Sequence, residues 1–188
     1  MLGPELHTYT RNNEQLVLTR PEFAHAVIML TWAQDTESMN MLAAPDSEPL
    51  RDKANIDTEI ERIHGFENND DNIIWAISYN GRLVGQVWID KDKEIKVGHI
   101  STIIGDKSVR NKGIGLAAKS RVLDWAFSDG GFECIEAWCV AENTVSEAGL
   151  RSLGFTYTGE DVNDEIVAGK YPTRHHYEMT ASNWEKAK

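Results

Sequence analysis

The chain has 188 residues, the natural size of one domain with a real core, and an ordinary 41% of them are hydrophobic. Thirty acidic residues against nineteen basic ones give a net charge of −11. That argues against a nucleic-acid partner, because phosphate backbones select basic surfaces; it suits a cationic partner, or simply a soluble acidic surface. There is no run of about 20 apolar residues and no basic-then-apolar amino end, so neither a membrane partner nor a targeting segment is expected. Cys134 and Cys139 lie five apart in one strand-like run and point to opposite faces, which keeps them from pairing with each other; two unpaired thiols suit a reducing cytoplasm. Two cysteines at this spacing make no metal site, and no metal is expected.

In chain order, Leu16-Val17-Leu18-Thr19 reads as the first strand, and Pro21 stands where a helix start tolerates proline. Glu22 to Thr36 has a helical pattern with apolar Phe23, Val27, Ile28, Leu30 and Trp32. Residues 37–52, with two methionines and two prolines, read as a mobile loop. A charged helix is expected over 52–64 and a polar breaker over 68–72. Ile73 to Tyr79 and Leu83 to Ile89 are strand-like runs joined at Asn80-Gly81, a strong two-residue hairpin signal. A turn over 90–94 leads to the strand Val97 to Ile104, which Gly105-Asp106 ends. From Gly115 onward Ala118, Val122, Trp125 and Ala126 recur at helical spacing beside a second stripe, Leu116, Leu123 and Phe127, so this helix is expected to be buried on two sides. Gly130-Gly131 stops it. A strand over Phe132 to Val140 and a short helix to Leu153 follow, and the segment after Gly159 reads as a mobile loop. His175 and His176 are adjacent in a strand-like run, one expected to face solvent and one to pack. A meander followed by a strand-helix-strand crossover is one α+β unit over residues 1–188 and does not suit a doubly wound nucleotide fold.

The segment Val109-Arg110-Asn111-Lys112-Gly113-Ile114-Gly115 places a basic, glycine-bearing loop at the amino end of that central helix. Unpaired backbone N–H groups and the helix dipole make such an end an anion site, suited to a phosphate or pyrophosphate. A nucleotide P-loop needs Gly-Lys-Ser/Thr at its close, and here Lys112 precedes Gly113 while Ile114 follows it. Gly113-Ile114-Gly115-Leu116-Ala117-Ala118 fits the relaxed dinucleotide fingerprint, which would make the chain a nicotinamide-dependent oxidoreductase. In that fingerprint the first glycine ends a strand directly, whereas here the polar segment Asp106 to Lys112 intervenes.

Arg110, Gly113 and Gly115 also match in register the Arg/Gln-x-x-Gly-x-Gly/Ala loop of another family. Beyond them stand Trp125-Ala126-Phe127, then Glu142-Asn143-x-x-Ser146, then Leu153-Gly154-Phe155 with Gly159 after. In order and spacing these motifs, with Leu16 to Pro21, resemble the GNAT N-acetyltransferase superfamily, in the branch of the ribosomal-protein N-terminal acetyltransferases. The resemblance is dense over residues 97–160 and thin over 30–75. It implies an α+β fold whose mixed, mostly antiparallel sheet is splayed at its centre and flanked by helices. Acetyl-CoA would enter the split, with its pyrophosphate on Arg110, Asn111, Lys112, Gly113, Ile114 and Gly115. Ile103 and Ile104 would offer backbone groups to the pantetheine arm and an N–H to the thioester oxygen, and Asn143 would join the cofactor-binding set. A neutral amine would attack the thioester directly, leaving two proton jobs.

The sequence departs from the commoner pattern of the superfamily at both jobs. A glutamate five residues before the motif asparagine and a tyrosine seven after it are replaced by Trp138 and Leu150. The resembling branch assigns the departing thiolate to Ser146 and the base to a glutamate after the Gly-Phe segment, here Glu165, with Glu160 and Asp164 as rivals. Ser146 has the alternative reading of an early-turn hydroxyl with Asn143 as helix N-cap, and Glu165 that of a solvated loop carboxylate. The acceptor would be a protein N-terminus or a small cationic amine, with Trp32, Met39, Met41, Phe66 and Tyr171 as candidate pocket residues. A homodimer is compatible with this reading. A catalytically silent acyl-CoA sensor with the same fold is the alternative.

Overall fold

The computed structural model describes residues 3–43, 54–68, 71–91 and 96–187. Eight strands form one sheet: β1 (Leu6–Tyr9), β2 (Gln15–Thr19), β3 (Asn72–Tyr79), β4 (Arg82–Lys91), β5 (Val97–Ile104), β6 (Cys134–Val140), β7 (Thr156–Val162) and β8 (Thr173–Thr180). Their spatial order is β1-β2-β3-β4-β5-β6-β8-β7. Every neighbouring pair is antiparallel except β5 and β6. That parallel pair is joined only through Val97↔Cys134, Gly98↔Ile135 and His99↔Glu136. Beyond those residues the two strands run on without pairing to each other, and the sheet opens between them. This is the splayed, mostly antiparallel sheet that the resemblance implies.

The hairpin at Asn80-Gly81 forms because both residues adopt positive φ, 51° and 74°, the conformation a tight turn of this kind requires. Strand β3 is buried along nearly its whole length, since helices cover both faces of the sheet there. On one face lies α4 (Ile114–Ser128), with Ala118, Val122, Leu123, Trp125 and Ala126 buried. Trp125 meets Trp75 of β3 edge-on, centroids 5.2 Å apart, within a core that also holds Leu16, Leu18, Ile77, Ile89 and Ile100. On the other face α1 (Ala26–Ala33), α2 (Thr36–Met41) and α3 (Ile56–Asn68) build a second cluster of Met29, Trp32 and Ile63 against Ala76, Leu83 and Ile103. Two further helices, α5 (Thr144–Ser152) and α6 (Ala181–Ala187), complete the described α-helices, and 3₁₀ turns stand at Phe23–His25 and Lys107–Val109.

Several expectations are corrected. Strand β1 precedes the expected first strand and pairs with it. The expected helix over 22–36 is a 3₁₀ turn, Phe23–His25, followed by α1, which ends at Ala33. Thr36, expected to end the preceding helix, instead opens α2, and residues 37–41, expected in a loop, continue it: Asp35 is the N-cap, Glu37 lies in the first turn, and the Met39 N–H donates to Asp35 O. The start signal Asp-Thr-Glu-Ser wins over the methionines and prolines downstream. Residues 44–52 of that expected loop lie outside the described residues. The charged helix runs to Asn68, four residues further than expected. Strand β7 continues through Gly159 to Val162, so Glu160 is a strand residue and only the segment after 162 is a loop. Neither of the paired histidines faces solvent alone. His175 and His176 are both half-buried on opposite faces of β8, His175 near Glu147 and Glu160, His176 3.0 Å from Asp161.

Candidate active site

The loop between β5 and α4 is held from below. Asp106 Oδ1 accepts from the Ser108 amide (2.9 Å) and hydroxyl (2.6 Å), and its other oxygen receives Arg82 at 2.7 Å. These bonds, the Ser108 hydroxyl first, hold the Asp106 carboxyl below its ordinary range. Arg110 donates from Nε to Ile104 O (2.8 Å) and from a terminal nitrogen to Ser38 Oγ (2.7 Å), 3.8 Å from Asp35. Lys107 reaches Asp35 (3.0 Å) and Glu37 (3.1 Å). For Asp35 burial pushes the carboxyl up, but bonds from Ser38 and Lys107 outweigh it and the net shift is downward. Arg110 and Lys107 therefore tie the loop to the start of α2, a link between residues 72 positions apart that no local pattern reveals.

Above that scaffold the backbone curls through two left-handed residues, Asn111 (φ 63°) and Gly113 (φ 77°). Turns of this kind form anion-binding concavities. The first intrahelical bond of α4 runs from the Ala117 N–H to Gly113 O, 2.9 Å, leaving the amides of Ile114, Gly115 and Leu116 without a partner inside the helix. A Cβ added at Gly113 would meet nothing within 4 Å, and one at Gly115 would approach only Ile104 and Thr102, at 3.6 Å or more. Lys112 stands close by, its ammonium 5.7 Å from the Tyr79 ring centre. This end of α4 is an open, donor-rich cradle of the kind a pyrophosphate fits.

The split itself begins where β5 and β6 part. Cross-strand pairs share a face, so His99, Ser101 and Ile103 look toward α1–α3, while Ile100, Thr102 and Ile104 look toward α4. Two polar atoms on β5 are buried without a hydrogen-bond partner among the described residues, His99 Nε2 and Thr102 Oγ1. An orphaned buried polar atom costs about 1–3 kcal/mol, so it calls for a function or a partner that arrives later. Burial drives the His99 imidazole down to about 4 against a small opposing pull from Asp90, so the ring is neutral near pH 7. Its neighbour across the split is Trp138, centroids 5.8 Å apart, with the Arg174 guanidinium 5.6 Å from the same Trp138 ring centre.

On the α4 side, Lys119 stands one turn beyond Gly115. Burial lowers its ammonium to about 8, and its charge is felt at both His99 and Cys139. Burial raises the Cys139 thiol, with Lys119 and the Ser146 hydroxyl pulling it back. Ser146 is the third residue of α5. Its amide donates to Asn143 Oδ1 (3.1 Å), which makes Asn143 the N-cap, and Asn143 Nδ2 reaches Met41 O (3.3 Å). Asn143 thus links α5 to α2.

Ile103 and Ile104 end β5 where it has parted from β6, and the 110–115 loop is tied to them by Arg110; Ser146 lies against Cys139 of β6, and Asn143 caps the helix that carries it. Glu165 is an exposed residue of the loop after β7, its amide on Asn163 Oδ1 (3.2 Å), and its charge is felt at Arg174. Of its rivals, Asp164 lies in the same loop and also acts on Arg174, while the Glu160 carboxylate sits 3.4 Å from His175. Of the five expected pocket residues, Trp32, Met39 and Phe66 meet in a cavity of about 430 Å³ between the helices and β3–β5. Met41 and Tyr171 are exposed and do not line it. His99, Lys119 and Thr102 belong to no motif in the sequence. The first two are visible only as polar residues inside apolar runs, and what distinguishes all three is burial beside the split.

Among the described residues no group of three His, Cys, Asp or Glu side chains is placed to hold a metal ion, and no helix is long and apolar enough to cross a membrane. No curated protein matches the chain. Solved structures do. Mycobacterium smegmatis RimJ, in complex with CoA-disulfide, superposes with a TM-score of 0.82 at 19% identity, covering 95% of this chain and 87% of that one. Spermidine N-acetyltransferase from Vibrio cholerae, in complex with CoA and spermine, gives 0.80 at 16%, covering 90% and 98%. The Microcin C7 self immunity acetyltransferase MccE, in complex with acetyl-CoA and AMP, gives 0.75 at 21%, covering 90% and 93%. At such identities these likenesses establish the fold. The model of the GNAT acetyltransferase domain matches residues 15–156, well over half of the sequence, and the chain belongs to that family.

Proposed function

We propose that the protein moves an acetyl group from acetyl-CoA to a primary amine by direct attack of the amine on the thioester. The observation that carries this is the opening of the sheet after His99↔Glu136, with the donor-rich end of α4 at its mouth. The pyrophosphate rests on the Ile114, Gly115 and Leu116 amides and Lys112. The pantetheine arm runs into the split along Ile103 and Ile104, where a backbone N–H meets the thioester oxygen and stabilises the tetrahedral oxyanion. Arg110 contributes by shaping the loop, through Ile104 O and Ser38. Asn143 holds Ser146 at the start of α5, and the Ser146 hydroxyl supports the departing thiolate.

Glu165 is the proposed base, taking the amine's proton directly or through one water. A second assignment has an observation of its own. The His99 Nε2 is buried and unpartnered on the face away from α4, a free acceptor beside the split, although burial lowers its basicity and opposes the role until substrate and cofactor charges raise it. On that reading it takes the proton instead.

The test is thiol release from acetyl-CoA over a panel of amines and short peptides. Amine-dependent release supports the transferase. Tight acetyl-CoA binding with no release for any amine would replace it with an acyl-CoA sensor of the same fold. Structural neighbours include enzymes named for spermidine and for the ribosomal protein L7/L12 N-terminus, so both acceptor classes belong in the panel.

A further inference from the structure

We infer that the acceptor is a primary amine with an aromatic ring a few bonds from its nitrogen, the ring seated in the cavity between α1, α3 and the sheet. This rests on the transferase reading above and supplies its substrate class. The cavity is about 430 Å³, room for one ring on a short arm. Its walls are the rings of Trp32, Phe66 and Trp88 and the thioethers of Met29 and Met39. Flat π-faces and polarisable sulfur favour an aromatic guest over a flexible polar chain.

The cavity also stands in the right place. Ile103 forms part of its lining, and Ser101, next along β5 on the same face, pairs with the lining residue Trp88. The cavity therefore ends at the strand that borders the split, on the face away from α4. An acceptor there approaches the thioester from the side opposite the pyrophosphate cradle.

Charge separates this guest from a polyamine, which the net charge of −11 on its own would favour. The one carboxylate among the described lining residues is Glu59, and it is already matched. Arg62 donates to it from Nε (3.1 Å) and a terminal nitrogen (2.8 Å), while the same guanidinium lies 5.3 Å from the Phe66 ring centre. Gln86 Nε2 turns to Met29 sulfur at 3.6 Å, and Asn72 Nδ2 to Asp90 at 2.5 Å. A second ammonium entering this space would lose its water and find no unmatched carboxylate on the lining itself; the carboxylate behind it, Asp90, has one oxygen taken by Asn72 and the other by Trp88 Nε1 at 3.1 Å.

The ring can belong to a free arylalkylamine or to a peptide whose first residue is aromatic. The experiment measures kcat/KM by thiol release for phenethylamine, a dipeptide amide beginning with Phe, propylamine and spermidine, with acetyl-CoA affinity measured in parallel. At least one aromatic amine is expected to exceed both propylamine and spermidine by tenfold or more, and which one identifies the source. Phe66→Ala should raise KM for the aromatic amine about tenfold, leave propylamine nearly unchanged and keep the acetyl-CoA Kd. Phe66→Leu serves if the alanine variant does not fold. Preference for spermidine, or an equal loss on all amines in the variant, overturns this inference and leaves the transferase standing. No turnover of any amine overturns both.

Discussion

Gly115 offers the cleanest single-residue test of the cofactor cradle. An added Cβ would approach nothing of the protein closer than Ile104 Cγ1 at 3.6 Å, so Gly115→Val should fold, with its branches filling the space between the helix end and the Thr102 and Ile104 side chains of β5 that the cofactor is proposed to use. Calorimetry should give an acetyl-CoA Kd raised at least tenfold, about 1.4 kcal/mol, with Tm little changed. Gly113→Val is less clean, because at φ 77° a side chain costs about 1–2 kcal/mol whatever the ligand does. Ser146→Ala removes the proposed hydroxyl donor but keeps the amide bond to Asn143. Turnover should fall roughly tenfold to a hundredfold with an unchanged Kd, as expected of an interaction made only in the transition state. The base is decided by a pair of variants in pH–rate profiles. If Glu165 is the base, Glu165→Gln slows turnover near pH 7 and the loss shrinks as free amine accumulates at higher pH; if His99→Gln shows that pattern and Glu165→Gln does not, the histidine holds the role. His99 carries a stability signature as well. Its folded value of about 4 lies below the ordinary 6.5, so between those values the unfolded chain binds a proton that the folded chain refuses. Stability should therefore fall as pH drops from 6.5 to 4, by at most about 1.4 kcal/mol per unit, and urea titrations of His99→Asn should lose that slope.

At the scale of elements, Gly85 of β4 leaves no room for a side chain against β5 where it pairs with Ile104. A Cβ at Gly85 would stand 2.3 Å from the Ile103 carbonyl oxygen, a backbone atom that cannot swing aside. Gly85→Ala should force β4 from β5 at Ile103 and Ile104. A Tm drop of several degrees and weaker acetyl-CoA binding should appear together, and a variant with wild-type Tm would contradict the contact. The elements themselves were legible to different degrees. Strand β5 and helix α4 stand close to where the sequence puts them, because an unbroken apolar run between turn residues and a two-stripe helical period leave little choice. Strand β1 and helix α2 were missed. Leu6–Tyr9 is four residues with a single buried side chain, and it is a strand because β2 pairs with it. Helix α2 is six residues long, too short for periodicity to speak, and it is held by contacts from Arg110 and Asn143 far along the chain. The loop expected after Gly159 failed for a related reason: the polar run Gly159 to Val162 reads as a loop, yet β8 supplies its hydrogen-bonding edge.

For the molecule as a whole, the motifs carried the family, while the geometry that makes a site of them came from long-range pairing. Nothing local to Val97–Ile104 or Cys134–Val140 says that the two strands pair over three residues and then part. Nor does it say that His99 and Thr102 are left with orphaned atoms on opposite faces of β5. The same limit explains why Trp32, Met39 and Phe66 were legible as apolar candidates but not as the walls of one cavity with Trp88. In the proposed reaction acetyl-CoA enters the split from the α4 side and gives its acetyl group to an amine on the other face. Its most direct test is transfer of a labelled acetyl group from acetyl-CoA to an added primary amine, followed by mass spectrometry of the amine with the wild-type chain and with Gly115→Val side by side. A labelled amide is expected with the wild type, and at least tenfold less with the variant at subsaturating acetyl-CoA. A labelled amide formed equally well by both chains would contradict the placement, and no labelled amide with any amine would contradict the chemistry.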